Sequence, residues 1–247
     1  MIASLPMYDL PSCQAANDRL WQAFIEHYGA GPDALTRGAD PWQVWQAPDL
    51  LLAQTCGLPY RAKLYGNVRL VASPDHGLSD CPAGYYFSHL IRRRGDARGL
   101  AELSQGIMAY NEGLSQSGWA APLGHLATKG LAPTRVFQTG AHVDSVRAVA
   151  TGKADYAAID AVTLGLLARE DGDLVALIDP FDRTTPTPAL PFITAKDRDP
   201  NPIAAALGAA ITALEDADRT ALALHGIVQV PSEDYVALPL PPAPEHA

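Results

Sequence analysis

From end to end this chain alternates apolar runs of four to six residues with stretches whose apolar side chains recur at helical spacing. That alternation commits it to an α/β fold with mostly parallel sheets. Residues 2–6 read as a first strand, and Pro11-Ser12 opens a helix with Ser12 as N-cap, because Ala16, Leu20, Phe24 and Tyr28 share one face and Gly29 stops it. Residues 49–54 and 68–72 read as further strands. The middle repeats the theme in tighter units, with strands predicted at 106–110, 135–138, 155–159 and 174–178 and helices at 117–129, 141–151 and 161–169. A strand at 190–194 and a helix at 200–214 return to the first set. Two βα sets, the second inserted into the first, predict two lobes, 1–88 plus 190–247 and 89–189, joined by crossover strands at 86–92 and 190–194. A ligand is then expected in the cleft between lobes, met by loops at the C-terminal ends of strands.

With 48% hydrophobic and 18% charged residues among 247, the chain can bury a full core. Its glycines and prolines are spread as turn punctuation, and only the Pro-rich tail, 238–247, reads as frayed. The net charge of −9 excludes nucleic-acid binding by phosphate neutralisation, and the one basic run, Arg92-Arg93-Arg94, reads as a solvated strand end. A bound anion must therefore be held by a local field. Cys13, Cys56 and Cys81 lack metal-ligand spacing; a Cys56–Cys81 bridge stays open. No apolar run is long enough to span a bilayer, and Met1-Ile2-Ala3-Ser4-Leu5-Pro6 has neither the basic nor the apolar region of a secretion signal. Two expectations follow: a cytoplasmic protein as written, or an exported one whose signal lies outside this sequence.

Three strand-to-helix turns concentrate the polar chemistry. Asn111-Glu112-Gly113-Leu114-Ser115-Gln116-Ser117-Gly118 gathers hydroxyls and backbone N–H groups where a helix dipole is positive, which suits an oxyanion without any Lys or Arg. Ser117 equally fits a plain N-cap. Thr139-Gly140-Ala141-His142-Val143-Asp144-Ser145 puts His142 in a first helical turn, either as a donor to a ligand oxygen or as a satisfied core group. Asp160 ends an apolar strand; it either caps the next helix or, facing an anion, selects a protonated oxygen or an ammonium group. In the other lobe Tyr8, Gln54 and Thr55, and at the crossover Tyr86 with Ser88, offer neutral donors at strand ends, with packing as the alternative use of each tyrosine.

The ordered set 111–118, 140–145, Gly152-Lys153-Ala154-Asp155 and Ala158-Ile159-Asp160, with Ser4-Leu5-Pro6-Met7-Tyr8 and Gln54-Thr55-Cys56-Gly57 upstream, resembles the solute-binding proteins of phosphate, phosphite and phosphonate ABC importers. The resemblance implies a two-lobed periplasmic-binding fold of type 2, no enzymatic activity, no cofactor or metal, and a periplasmic location. It also implies an ABC transporter permease as partner if the protein is exported, and a small oxyanion as ligand. By resemblance the ligand contacts fall on Ser115, Ser117, His142, Asp160 and Tyr8, with Gln54, Thr55, Tyr86 and Gln116 beside them. Gln116 departs from the Thr that phosphonate binders favour there.

Three rivals stand beside this reading. A hydrolase would use Ser117, His142 and Asp160 as nucleophile, base and orienter, but the nucleophile elbow lacks its second glycine. A cytoplasmic enzyme on the same two-lobed fold, acting on a small anionic metabolite, needs an acid–base pair that the motifs do not display. A ligand-sensing domain of a transcription regulator needs a DNA-binding helix-turn-helix, and none precedes Ile2.

Overall fold

The computed structural model describes residues 1–244. The chain divides into two compact units, Met1–Tyr85 with Pro188–Leu238, and Tyr86–Thr187 with the C-terminal segment from Pro239.

The first unit opens with strand β1 (Ile2–Ser4) and helix α1 (Gln14–Tyr28), then α2 (Pro41–Trp45), β2 (Leu50–Gln54), α3 (Gly57–Pro59) running on as a π turn (Tyr60–Leu64), β3 (Val68–Asp75) and the two-residue β4 (Tyr85–Tyr86). Helix α1 buries Ala16, Leu20, Trp21 and Phe24, and Gly29 ends it at φ +86°, a left-handed conformation that glycine takes without strain. Its N-cap is Cys13, with no side-chain bond, where Ser12 was expected; the chain makes a tight turn first, with Cys13 N donating to Leu10 O.

The second unit runs β5 (Ser88–Arg93), α4 (Leu100–Leu103), β6 (Ile107–Tyr110), a π turn (Gln116–Ala120) continuing as α5 (Ala121–Thr128), β7 (Arg135–Gln138), α6 (His142–Ala150), β8 (Tyr156–Asp160), α7 (Ala161–Glu170), α8 (Gly172–Val175), β9 (Ile178–Arg183) and β10 (Thr187–Pro188). Residues 174–178, predicted as a strand, instead complete α8, which Asp171 caps by accepting from Leu174 N; the strand begins at Ile178. The chain then adds β11 (Phe192–Ala195), α9 (Pro200–Ala213), α10 (Asp216–Leu222), β12 (Gly226–Val228) and α11 (Ser232–Val236) to the first unit.

Each unit carries one five-stranded sheet, ordered β1-β2-β11-β3-β12 and β7-β6-β8-β5-β9. The α/β class holds, but the sheets are mixed where mostly parallel ones were expected. In the first, β11 runs antiparallel to β2 and β3; in the second, β5 runs antiparallel to β8 and β9. Both strands follow a passage of the chain between units, and so enter their sheets without a βαβ crossover to set a parallel direction. Strands β6, β7 and β8 are parallel. Their side chains alternate: Ala109, Ala157 and Ile159 pack with Val146, Val149 and Leu164 on one face, while Met108, Tyr110 and Tyr156 pack with Trp119 and Leu126 on the other.

None of the three cysteines is in a disulfide. The tail expected to fray is docked as far as it is described: Trp119 Nε1 donates to Pro242 O at 2.9 Å. Among the described residues no helix is long and apolar enough to cross a membrane.

In the core of the first unit, buried Tyr235 donates its hydroxyl to Ala189 O at 2.7 Å and also lies against Ser73 Oγ. Tyr235→Phe strands that carbonyl and hydroxyl without a partner, and should cost about 1–3 kcal/mol in chemical denaturation; an unchanged midpoint would show that the network contributes nothing.

Candidate functional site

Because β6, β7 and β8 are parallel, the turns that follow them open on one edge of the second sheet, and those turns carry the polar motifs. After β6 comes 111–115, after β7 comes 139–141, and after β8 the chain turns at Asp160. The first two are stapled together: Thr139 N donates to Tyr110 O at 2.8 Å and Gly140 N to Asn111 O at 2.9 Å. Gly140 sits at φ +92°, a left-handed turn that lets α6 start beside the Asn111–Ser117 loop. Thr139 Oγ1 lies 2.7 Å from Ser145 Oγ and 3.0 Å from Tyr110 O, holding the helix start from inside.

The staple brings Ser117 and His142 together, Oγ to Nε2 at 2.8 Å. His142 Nδ1 is shut off from solvent and has no partner among the described residues. Desolvation pushes the His142 pKa down to about 4, so the ring is neutral at pH 7 and carries one N–H. Helix α6 starts without a side-chain cap, Ala141 standing where Ser or Asp is usual. Gly118 completes the corner, for a Cβ there would lie 2.1 Å from Asn111 Oδ1 and 3.3 Å from His142 Cε1. Asn111 Oδ1 is likewise buried with no partner among the described residues.

The remaining residues of this unit fall around the corner. Ser115, not Ser117, is the N-cap of the helix: its buried Oγ accepts from Gly118 N at 2.9 Å, which leaves the Ser117 hydroxyl for His142. Gln116 is buried and directs Nε2 to Thr187 Oγ1 at 3.4 Å. Asp160 is buried and caps α7, accepting from Val162 N at 2.7 Å and Thr163 N at 3.0 Å. It pairs in register with Ser88, whose Oγ donates to Ser117 O at 3.0 Å. Tyr86, two residues before Ser88 and at the end of β4, is buried.

A family model for the periplasmic substrate-binding protein of phosphonate ABC transporters matches residues 49–235, about three quarters of the sequence. The chain belongs to this family. No curated protein matches it by sequence. Among solved structures, it is similar to a binding-protein component of an ABC phosphonate transporter from Pseudomonas aeruginosa (12% identity, TM-score 0.73, covering 95% of this chain and 82% of that one). It is also similar to PhnD1 from Prochlorococcus marinus in complex with methylphosphonate (14% identity, TM-score 0.71, covering 95% and 93%) and to XAC2383 from Xanthomonas citri bound to chloride (13% identity, TM-score 0.71, covering 96% of each). These likenesses establish the type 2 periplasmic-binding fold.

For this substrate-binding protein the hydrolase alternative fails on its third member. The serine–histidine contact exists, but no carboxylate orients His142 among the described residues: its Nδ1 has no partner there, and Asp160 Oδ1 accepts from Val162 N and Thr163 N instead.

The first unit's candidates form a separate group. Tyr8 and Gln54 line one small depression with His76, and Tyr8 meets the His76 ring edge-on at 5.2 Å. Gln54 Nε2 is spent on Leu190 O at 3.1 Å, and Thr55 is fully buried with its N–H on Pro191 O; both strut the sheet. Asn111 and Thr139 stand in the motifs read from the sequence, but neither was given a role of its own. The available signal was a short polar residue at the C-terminal end of a parallel strand, which in this topology points to the ligand edge.

The neutral state of His142 has a thermodynamic consequence. Its native pKa of about 4 lies below the unfolded value near 6.5, so between those pH values the unfolded state binds more protons and stability falls as pH falls. The loss attributable to His142 is at most about 3 kcal/mol by pH 4. Denaturation across that range should show a shallower decline for His142→Gln; parallel curves would place His142 in a solvated setting. His76 and His89, whose pKa values burial also lowers, are common to both proteins.

Proposed function

We propose that this chain captures a small phosphorus oxyanion, namely phosphate, phosphite or a phosphonate, at the helix starts of its second unit and delivers it to an ABC importer. The observation that carries the proposal is the Ser117–His142 hydrogen bond beside the uncapped start of α6. Helix N–H groups there need acceptors, and an oxyanion supplies several. Ser117, relieved of capping by Ser115, donates to the anion while neutral His142 supports its hydroxyl. Asp160 is assigned to a protonated oxygen or an ammonium group on the ligand, since a bare anion facing it would be repelled. Gln116 and Tyr86 complete the assigned contacts.

Membership of a periplasmic family supports work outside the inner membrane with a permease as partner. The methylphosphonate complex of PhnD1 supports a phosphonate as first choice within the ligand class.

Four charge-assisted hydrogen bonds near the upper end of about 1.5–3 kcal/mol each total about 12 kcal/mol, which leaves the roughly 8 kcal/mol of micromolar affinity after ordering costs of a few kcal/mol. His142→Ala and Ser117→Ala should each weaken binding by at least about 1 kcal/mol with the fold intact. Calorimetry against methylphosphonate, an aminoalkyl phosphonate, phosphate and phosphite reads the effect, and unchanged affinity in both variants removes these residues from the site.

A further inference from the structure

The C-terminal segment grips the oxyanion turn from both sides. Trp119 is buried, tilts against Tyr110 with ring centroids 4.7 Å apart, and sits in the π turn two residues after Ser117. Its indole N–H, the side chain's sole donor, goes to Pro242 O at 2.9 Å. On the other flank, two residues before Ser115, Gly113 lies so close to Pro244 that a Cβ would come within 2.8 Å of Cγ and 2.9 Å of Cδ. Between these two grips lie Ser115, Gln116 and Ser117. The segment Pro239-Leu240-Pro241-Pro242-Ala243-Pro244 is suited to gripping, because proline at four of six positions fixes φ and removes backbone donors, so ordering costs little and carbonyls remain as its polar partners.

We propose that Pro239–Pro244 is a positioning strap that sets the affinity of the Ser115–Ser117 turn for its oxyanion. The proposal rests on assigning the oxyanion to that turn. A π turn has a wider and weaker hydrogen-bond ladder than an α turn. Without the strap, Trp119 Nε1 loses both its acceptor and the chain that covers it, and the turn loses the two contacts that fix it. The serine hydroxyls move with it. Pro242 and Trp119 touch no ligand in this scheme and act through the turn.

The test uses three proteins and a rescue. A chain ending at Leu238, and separately Gly113→Ala, which displaces Pro244 while leaving Trp119 in place, should each bind methylphosphonate about tenfold more weakly than the full chain, the equivalent of one hydrogen bond. A synthetic peptide of residues 239–247 should restore affinity to the truncated chain and return its Trp119 indole N–H resonance, assigned with Trp119→Phe, to the full-length position. Amide hydrogen exchange at residues 115–120 should accelerate on truncation and slow again with peptide. Wild-type methylphosphonate affinity in both variants would overturn the strap. Should the full chain itself bind no phosphorus oxyanion, the functional assignment falls, and exchange at 115–120 unchanged by truncation would overturn the strap on its own.

Discussion

The parallel run of β6, β7 and β8 is the constraint on which the second unit's chemistry depends. Parallel strands send their following helices off the same edge, so three positive helix ends meet within one set of turns. The backbone staple from Thr139 and Gly140 to Tyr110 and Asn111 converts that general arrangement into a specific contact, because it fixes α6 against the loop carrying Ser117. Reversing any one strand would carry its turn, and its serine or histidine, to the opposite edge.

A chain of net charge −9 that binds an anion has to separate its local field from its global one. In the proposed site the separation is made with dipoles: backbone N–H groups, serine hydroxyls and a histidine held neutral by burial. Two arginines of the second unit are paired with carboxylates. Arg98 is bonded to Asp96 and Asp155, and Arg94 to Asp179. Neutral donors of this kind hold a partner by count and direction of hydrogen bonds more than by charge, which favours a ligand of defined shape over any passing anion.

Much of this was legible in the chain, and the reasons are local. Gly29 at a helix end, the apolar stripe of Val146 and Val149, and the short strands flanked by turn residues each follow from one-dimensional patterning. What patterning lacks is strand direction. Residues 192–195 and 88–93 read equally well as parallel or antiparallel, and only the passage of the chain from one unit to the other decides. At the site, composition and order pointed to Ser115, Ser117, His142 and Asp160, yet the division of labour between the two serines was hidden. The helix opens as a π turn capped by Ser115, two residues ahead of Ser117, and propensities for α-helix carry no trace of it. Gln54 was misleading in another way: a polar residue at a strand end is equally a strut, and its amide proved to be spent on Leu190 O.

Unmet polar groups gather at the candidate site, though not only there: α4 also begins without a side-chain cap, at Gly99, and Tyr156 Oη and Arg92 Nε are buried without partners among the described residues. Asp160 and Asp171 cap their helices with side-chain bonds, as does Ser115. At α6 the cap is Ala141, a substitution that costs about 1 kcal/mol relative to Ser or Asp, and within the same corner His142 Nδ1 and Asn111 Oδ1 are buried without partners among the described residues. Each such group costs about 1–3 kcal/mol when left unpaired. Folding alone gives no reason to gather these costs at one corner, since a serine at 141 would relieve one of them at once. A ligand that brings oxygen acceptors to the free N–H groups offsets them, and the stabilisation then appears only when it is bound. That conditional gain is what a protein selected for capture requires.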